Sequence, residues 1–419
     1  MNNKTWIKLD NAALIYPAML SKTTASMFRL TVTLTEDVDK ELLNVALNNI
    51  MKRFPTYNYR LREGFFWFYF DKIDGHPEVT DDYNNPLLRI VFRKNNYYLF
   101  RVRVYKKRIA LEIFHSLTDG TGGKVFLQTL VGEYLRLKYH ISISYNEQVL
   151  NPDEEPTKEE FEDSFKSFTG SNGSLEKDKK AYHMKGIKEP VHILNIITGK
   201  MSIDSVKREA KKYNATITEF LTAVMLDALY DISRKEKNKK IIRVSIPINL
   251  RGLYNKKTLR NFSSYINVGI VPRNKKYTLE EIVLEVQNQM KDLLDIEKIN
   301  TKVTANVELA RNFFIQRVPN FIKKRVMRSI GNKKGDYLIT TTFSNLGLVK
   351  LPEEMEEYIT DINFILGRSK GTSGSVTGIG YKDNLYITFS RKIKETEFER
   401  LFFTKLVSMD IEVEIESNR

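Results

Sequence analysis

The stretch that most constrains this chain is Arg108 to Lys124, which reads Arg-Ile-Ala-Leu-Glu-Ile-Phe-His-Ser-Leu-Thr-Asp-Gly-Thr-Gly-Gly-Lys. Its mostly hydrophobic run, Ile109 to Phe114, has the pattern of a buried strand. The strand delivers His115 to its end. Asp119 follows four residues on, and Gly120, Gly122 and Gly123 give the backbone room for a sharp turn. Beyond the turn the period changes. Phe126, Leu127, Leu130, Val131, Tyr134 and Leu135 make one helical face. A strand, a tight loop and a helix in that order place a histidine where a rigid scaffold can hold it against a cleft.

The rest of the chain repeats an α+β grammar. In the first third, Met27 to Leu34 reads as a strand, and Leu42, Leu43, Ala46, Leu47, Ile50 and Met51 form a helical stripe that stops before Pro55. Tyr57 to Leu61 and Phe65 to Phe70 read as a hairpin around Glu63-Gly64, with further strands at Leu87 to Phe92 and Tyr97 to Tyr105. Ser142 to Lys180 is poor in hydrophobic residues and rich in turn formers, so it reads as a linker or surface excursion. The expected division is 1–160, a linker at 161–190, and 191–419. In the second half, Thr216 with Glu219 and Thr278 with Glu281 have capping-box spacing ahead of helices. Ile193 to Met201, Ile241 to Ile246 (ending at Pro247), Tyr265 to Val271, Tyr337 to Phe343, Ile362 to Leu366, Ser375 to Ile379 and Leu385 to Phe389 read as strands. Glu395 to Met409 closes as a helix.

At 419 residues the chain has room for two or three domains, and its 24 Phe and 21 Tyr can fill sizeable cores. It has no Cys. That excludes disulfides, a thiol nucleophile and Cys-based zinc or iron–sulfur sites. His76, His140, His183 and His192 show no metal-type spacing, so no metal is expected. The net charge of +15 favours anionic partners or serves as a solubilising surface. No nucleic-acid motif accompanies it. Met1 to Leu20 lacks a continuous signal-peptide core, and no apolar run approaches the ~20 residues of a membrane helix. A cytoplasmic protein with no transmembrane segment is expected.

On spacing alone, His115 has two readings. It is a general base, since histidine titrates near neutral pH. Or it is a core histidine bonded to a carbonyl, with Asp119 capping the helix. Phe-His-Ser-Leu-Thr-Asp-Gly resembles the His-x-x-x-Asp-Gly signature of the CoA-dependent acyltransferase superfamily. That superfamily includes chloramphenicol acetyltransferase, condensation domains, polyketide-associated acyltransferases and alcohol O-acetyltransferases. Leu9-Asp10-Asn11-Ala12-Ala13 through Pro17 resembles the opening of bacterial alcohol acetyltransferase-like members. Pro247-Ile248-Asn249-Leu250-Arg251 resembles the Pro-x-Asp-Leu-Arg element, with Asn261-Phe262 following. Ser344-Asn345-Leu346-Gly347 resembles the later Ser-Asn-x-Gly element. Three departures stand out: Phe114 where the family often has a first His, Asn249 where Asp is usual, and no late Asp-Phe-Gly-Trp-Gly element.

The resemblance implies an α/β (α+β) fold of two chloramphenicol acetyltransferase-like subdomains set in a V, with mixed and antiparallel sheets around a central tunnel. It implies an acyl-CoA co-substrate, acetyl-CoA for an acetyltransferase, and an alcohol or amine acceptor. His115 would act as general base in direct transfer. Asp119 and Gly120 would position the loop, Arg251 would pair with Asp119, and Ser344 and Asn345 would meet the oxyanion or substrate. Arg368 or Lys370 would meet CoA phosphates. Two alternatives remain: a condensation-type enzyme served by an acidic carrier protein, and a non-catalytic binding protein on the same scaffold. A monomer would suffice, though oligomeric state is not legible.

Overall fold

The computed structural model describes residues 5–21, 24–168, 179–274, 276–312, 316–330, 336–369 and 371–419. Two large sheets organise them. The first has five strands, in the order Ile359–Leu366, Met27–Leu34, Arg108–Phe114, Phe100–Tyr105 and Val79–Asp81. All pairs are antiparallel except the last. The second has seven, in the order Ser263–Ile270, Ile242–Asn249, Thr341–Val349, Gly374–Tyr381, Asn384–Arg391, Asn195–Ser202 and Glu414–Ser417. Thr341–Val349 runs parallel to both its neighbours; the remaining pairs are antiparallel. The expected mixed and antiparallel α/β architecture is what the chain adopts. A small sheet of Trp6–Lys8, Phe68–Lys72 and Tyr59–Glu63 lies apart from both.

Local chemistry accounts for most elements. Asp39 caps the helix Lys40–Ile50, and Asp119 caps Gly120–Tyr139. Both expected capping boxes form, at Thr216 with Glu219 and Thr278 with Glu281. The helix Gly120–Tyr139 buries Val125, Phe126, Leu130 and Tyr134 against the first sheet. Ile217–Lys235 does the same for the second, flanked by Leu279–Leu293 and Glu397–Val407.

Four strand expectations need correction. Leu87 to Phe92 is not a strand: Leu87 has φ of +59°, and its N–H donates to the Glu112 carboxylate rather than to a ladder. The strand expected to end at Pro247 continues to Asn249. Its parallel neighbour pairs no further than Ser245, so on that side no ladder bond is asked of the missing N–H. Phe65 to Trp67 form the exposed tip of the hairpin, with pairing beginning only at Phe68. The strand read from Tyr337 starts at Thr341, after a short 3-10 turn at Asp336–Leu338. The strand Ile359–Leu366, in the second half of the sequence, pairs with Met27–Leu34, so the two sheets do not divide by sequence position.

The hydrophobic strand Arg108–Phe114 also hides a charge. Glu112 is fully buried. It accepts from Arg29 at 3.0 Å, from Arg101 at 2.5 Å and from the Leu87 N–H at 2.8 Å. Arg29 in turn pairs with Asp82. Burial pushes the Glu112 carboxyl up, but Arg101 and Arg29 outweigh it and hold it below the ordinary 4.5. Glu112→Gln should therefore destabilise the chain by about 3–5 kcal/mol, because the guanidinium of Arg101 loses its anion and that of Arg29 keeps only Asp82. The urea midpoint measures this at neutral pH. The deficit should stay full above the ordinary glutamate value, shrink as pH falls below it, and be lost once pH has passed through the lower folded one.

Candidate active site

The strand Arg108–Phe114 ends at Phe114, and the His115 N–H donates to the Ser26 carbonyl at 2.9 Å. The chain then turns tightly into its helix. A Cβ on Gly122 would lie 2.1 Å from the Thr118 hydroxyl and 2.4 Å from the Leu259 carbonyl. Only glycine allows that approach, and it lets the loop Thr258–Phe262 of the second half lie directly on the motif. The Thr118 hydroxyl donates to the Leu259 carbonyl at 2.6 Å across the same contact.

Asp119 and Arg251 join the halves. The guanidinium meets the carboxylate in a two-bond fork, at 2.9 and 3.0 Å. The carboxylate also accepts from the Gly122 N–H at 3.1 Å and the Phe262 N–H at 2.8 Å. The remaining Arg251 donors go to the Thr258 carbonyl (2.7 Å), the Arg260 carbonyl (2.6 Å) and the Asn249 side-chain oxygen (3.1 Å). Asn249, in place of the usual Asp, keeps an acceptor there. Burial raises the Asp119 carboxyl, but Arg251 and the two N–H donors bring it below its usual range. With four donors on its two oxygens, Asp119 has no capacity left for His115. Its work is to hold the loop.

The His115 ring is half-buried. It stacks on Tyr16, with ring centroids 4.4 Å apart and planes 14° apart, and takes the edge of Phe28 at 5.2 Å. Its Nδ1 lies 3.2 Å from the Asn261 side-chain oxygen. The orientation of that amide follows from its other end. Asn261 Nδ2 donates to the Asp10 carboxylate at 3.3 Å and towards the Ser116 carbonyl at 3.5 Å. Both are acceptors, so the NH2 must face them and the oxygen must face the ring. Nδ1 then carries the hydrogen and Nε2 keeps its lone pair. Burial lowers the ring's pKa below 6.5, against the opposing pull of its own main-chain carbonyl, Asp119 and Asn261. Asp10 is itself buried, pushed up to about 6 by that burial although Arg260 pulls it back, and it accepts the Ala13 N–H at 2.7 Å.

The Ser344–Gly347 stretch reaches the same place from the second sheet. Ser344 and Asn345 still pair with Thr377 and Gly378, and a bulge after Asn345, with Gly347 at φ +69°, takes Leu346 and Gly347 out of register. A Cβ on Gly120 would meet the Leu346 side chain at 2.8 Å, so this bulge abuts the start of the motif helix. Ser344 is buried. Asn345 donates to the Thr218 hydroxyl at 3.2 Å and accepts the Gly347 N–H at 2.9 Å.

A model of the alcohol acetyltransferase family matches residues 70–371, well over half of the sequence. The chain belongs to the alcohol acetyltransferase family. No curated protein matches it. Among solved structures, the starter condensation domain of rhizomide synthetase RzmA, crystallised with C8-CoA, is similar at 13% identity and a TM-score of 0.63, covering 97% of this chain and 95% of that one. TRI3 trichothecene 15-O-acetyltransferase from Fusarium sporotrichioides is similar at 11% identity and a TM-score of 0.62, over 96% and 94%. Polyketide synthase associated protein 5 from Mycobacterium tuberculosis gives 12% and 0.59, over 95% and 96%. At such identities the likeness is one of fold. The chain thus shares its fold with acetyltransferases and with condensation domains.

For this family member, the structure joins the loop of His115, Asp119 and Gly120 to Arg251, and of the Ser344–Gly347 stretch it sets Leu346 against Gly120. It does not bring Arg368 there unspent: the guanidinium donates to the Pro190 carbonyl (2.6 Å) and the Ile193 carbonyl (2.8 Å). Lys370 lies outside the described residues. Sequence reasoning gave no role to Asp10, Tyr16 or Lys124, and noted Asn261 only by its place after the arginine element. The Asp10-to-Ala13 spacing is a helix-start signal that could have marked the first. Lys124 lies one turn beyond Gly120, on the helix face that meets Leu346. Burial lowers its pKa, and it has no acidic partner among the described residues. The Asn261 chain of bonds is open to test. Asn261→Leu should let the ring hydrogen distribute over both nitrogens, visible in the imidazole 15N shifts of His115, while the wild-type ring reads as the Nδ1–H form.

Proposed function

We propose that this protein moves an acyl group from acyl-CoA to an alcohol, with His115 Nε2 as the general base. The observation that carries the reading is the bond geometry behind the ring: Nδ1 lies 3.2 Å from the Asn261 oxygen while the Asn261 amide nitrogen faces Asp10, a pairing that suits a neutral imidazole with its lone pair on Nε2. The acceptor hydroxyl gives its proton to Nε2 as its oxygen attacks the thioester carbon. The carbonyl oxygen takes the developing charge. As the tetrahedral species collapses, the carbon–sulfur bond breaks, and the CoA thiolate takes the proton back from the imidazolium. The ester and free CoA leave, and the ring returns to its starting form. No acyl-enzyme is needed.

The remaining residues have matching roles in this reading. The Ser344 hydroxyl and neighbouring N–H groups of the bulge are the donors for the oxyanion. Lys124 offers the donor an uncompensated cation in place of Arg368. Asp119 and Arg251 keep the loop rigid, so that His115 does not wander from the approach line. An acidic carrier protein as donor is a second reading, supported by the net charge of +15; the match to the alcohol acetyltransferase family favours CoA.

Release of free CoA thiol from acetyl-CoA or a longer acyl-CoA, across a panel of alcohols, is the test. His115→Ala should lower turnover by roughly 10²–10⁴-fold with an unchanged unfolding midpoint. Thiol release that survives this variant would remove the base from the mechanism. Turnover only with carrier-bound acyl groups would favour the second reading. Because the ring pKa is depressed, the acid limb of kcat/KM for the wild type should fall below pH 6.5, the ordinary histidine value. A limb above it would contradict the buried, neutral ring.

A further inference from the structure

The helix Asn320–Ile330 is amphipathic in an unusual sense. Its lysines point inward. Lys323 donates to the Phe66 carbonyl at 2.7 Å and to the Gln316 carbonyl at 3.0 Å; Lys324 pairs with Glu63 at 2.9 Å and lies over the Phe68 ring. Phe321, Ile322 and Val326 face outward, with Phe321 66% exposed. The helix start is bonded to the hairpin tip, where the Asn320 N–H donates to the Phe65 carbonyl at 2.7 Å. That tip carries Phe65, Phe66 and Trp67, also exposed. Six large apolar side chains on two joined elements are thus left in water, where single exposed residues would need no explanation.

The sequence through this helix is basic, and the acidic Glu63 beside it is paired with Lys324. Between Glu308 and Asp336 the sequence has eight Lys or Arg and no acidic residue, more than half of the net excess of +15. Arg317 and Arg325 flank the apolar face and are exposed. Aromatic and aliphatic groups at the centre with basic groups around them match the layered chemistry of an anionic bilayer: acyl chains below, phosphates above. We infer that this face docks the protein on an anionic lipid membrane, with Phe65, Phe66, Trp67, Phe321, Ile322 and Val326 entering the interface. No helix among the described residues is long and apolar enough to cross a membrane, so the attachment is peripheral.

The face also adjoins the site. Asn320–Ile330 packs on the short helix Ile15–Met19, whose Tyr16 stacks on the His115 ring. Given the acyl-transfer reading, on which only this corollary rests, an acceptor alcohol dissolved in the bilayer would arrive beside the base.

The test is binding, not turnover, so it stands whether or not the enzyme reading does. The full chain is mixed with vesicles of phosphatidylcholine alone or with phosphatidylglycerol added. Binding to the second should be tighter by about tenfold or more, and should weaken with salt. Of the two tryptophans, Trp67 lies at the hairpin tip and Trp6 on the edge strand of the same small sheet, so brominated acyl chains should quench intrinsic emission without any mutation. Phe321→Ser with Ile322→Ser should abolish sedimentation while leaving the unfolding midpoint unchanged. If that variant misfolds, Phe65→Ser with Trp67→Ser on the hairpin tip serves instead. No sedimentation at low salt, equal binding to both vesicles, or binding indifferent to folded variants would overturn the inference. So would an acidic carrier protein that binds this face while vesicles do not compete.

Discussion

One guanidinium organises the site. Arg251 forks onto Asp119 in the first half, and in the same plane it gathers two carbonyls of the loop Thr258–Phe262. A charge buried this deeply is costly unless its donors are all engaged. Here five bonds leave three nitrogens, and each goes to an acceptor that the site needs in place. Lysine could not reproduce this, having a point charge and no fork. Because the loop is fixed by Arg251, its next residues are fixed too: the Phe262 N–H returns to Asp119, and Asn261 meets His115. The base and the group that sets its tautomer thus share one anchor, although they lie 146 residues apart in sequence.

This arrangement explains why the motif's aspartate and histidine do different work. Asp119 is surrounded by donors and held ionised; it contributes shape. His115 lies among Tyr16, Phe28 and a neutral amide, and burial keeps it uncharged. The polarity that a nearby carboxylate would supply is displaced one step, through the Asn261 amide to Asp10. A carboxylate in direct contact would stabilise the imidazolium and raise the ring's pKa. An intervening amide orients the ring with less of that effect, which suits a base that must be neutral before the acceptor arrives.

Much of this was legible in the order of residues, and the limits have physical causes. The strand at Met27–Leu34, the motif helix and both capping boxes are set by neighbours within a few positions, so periodicity and cap chemistry reveal them. The Asp119–Arg251 pair rested on a family resemblance, because nothing local links positions 119 and 251. Leu87–Phe92 misled for the opposite reason: its residues favour a strand, but a buried glutamate on another strand takes its N–H. Glu112, inside a mostly hydrophobic run, carried no local sign of its role, since its arginine partners come from two neighbouring strands. Arg368 read as a free cation in a glycine-rich stretch, yet tertiary folding commits it to carbonyls of Pro190 and Ile193.

The crossing strand gives the site its last constraint. Ile359–Leu366 leaves the second half and closes the edge of the first sheet beside Met27–Leu34, the strand next to the one that ends at His115. Its Asn363 accepts from Thr388 at 2.8 Å and donates to Thr198 at 3.2 Å, both on the second sheet, while the Thr377 hydroxyl donates to the Phe364 carbonyl. The halves are therefore fastened at this shared strand as well as at the Asp119–Arg251 fork and the Thr118–Leu259 bond beside it. Two separate attachments remove the hinge freedom that a single contact would leave between lobes. His115 comes from one half, and Asn261 and the Ser344 bulge come from the other. Their relative placement is only as good as that double fastening, which is why a charged pair with no part in proton transfer belongs at the centre of the site.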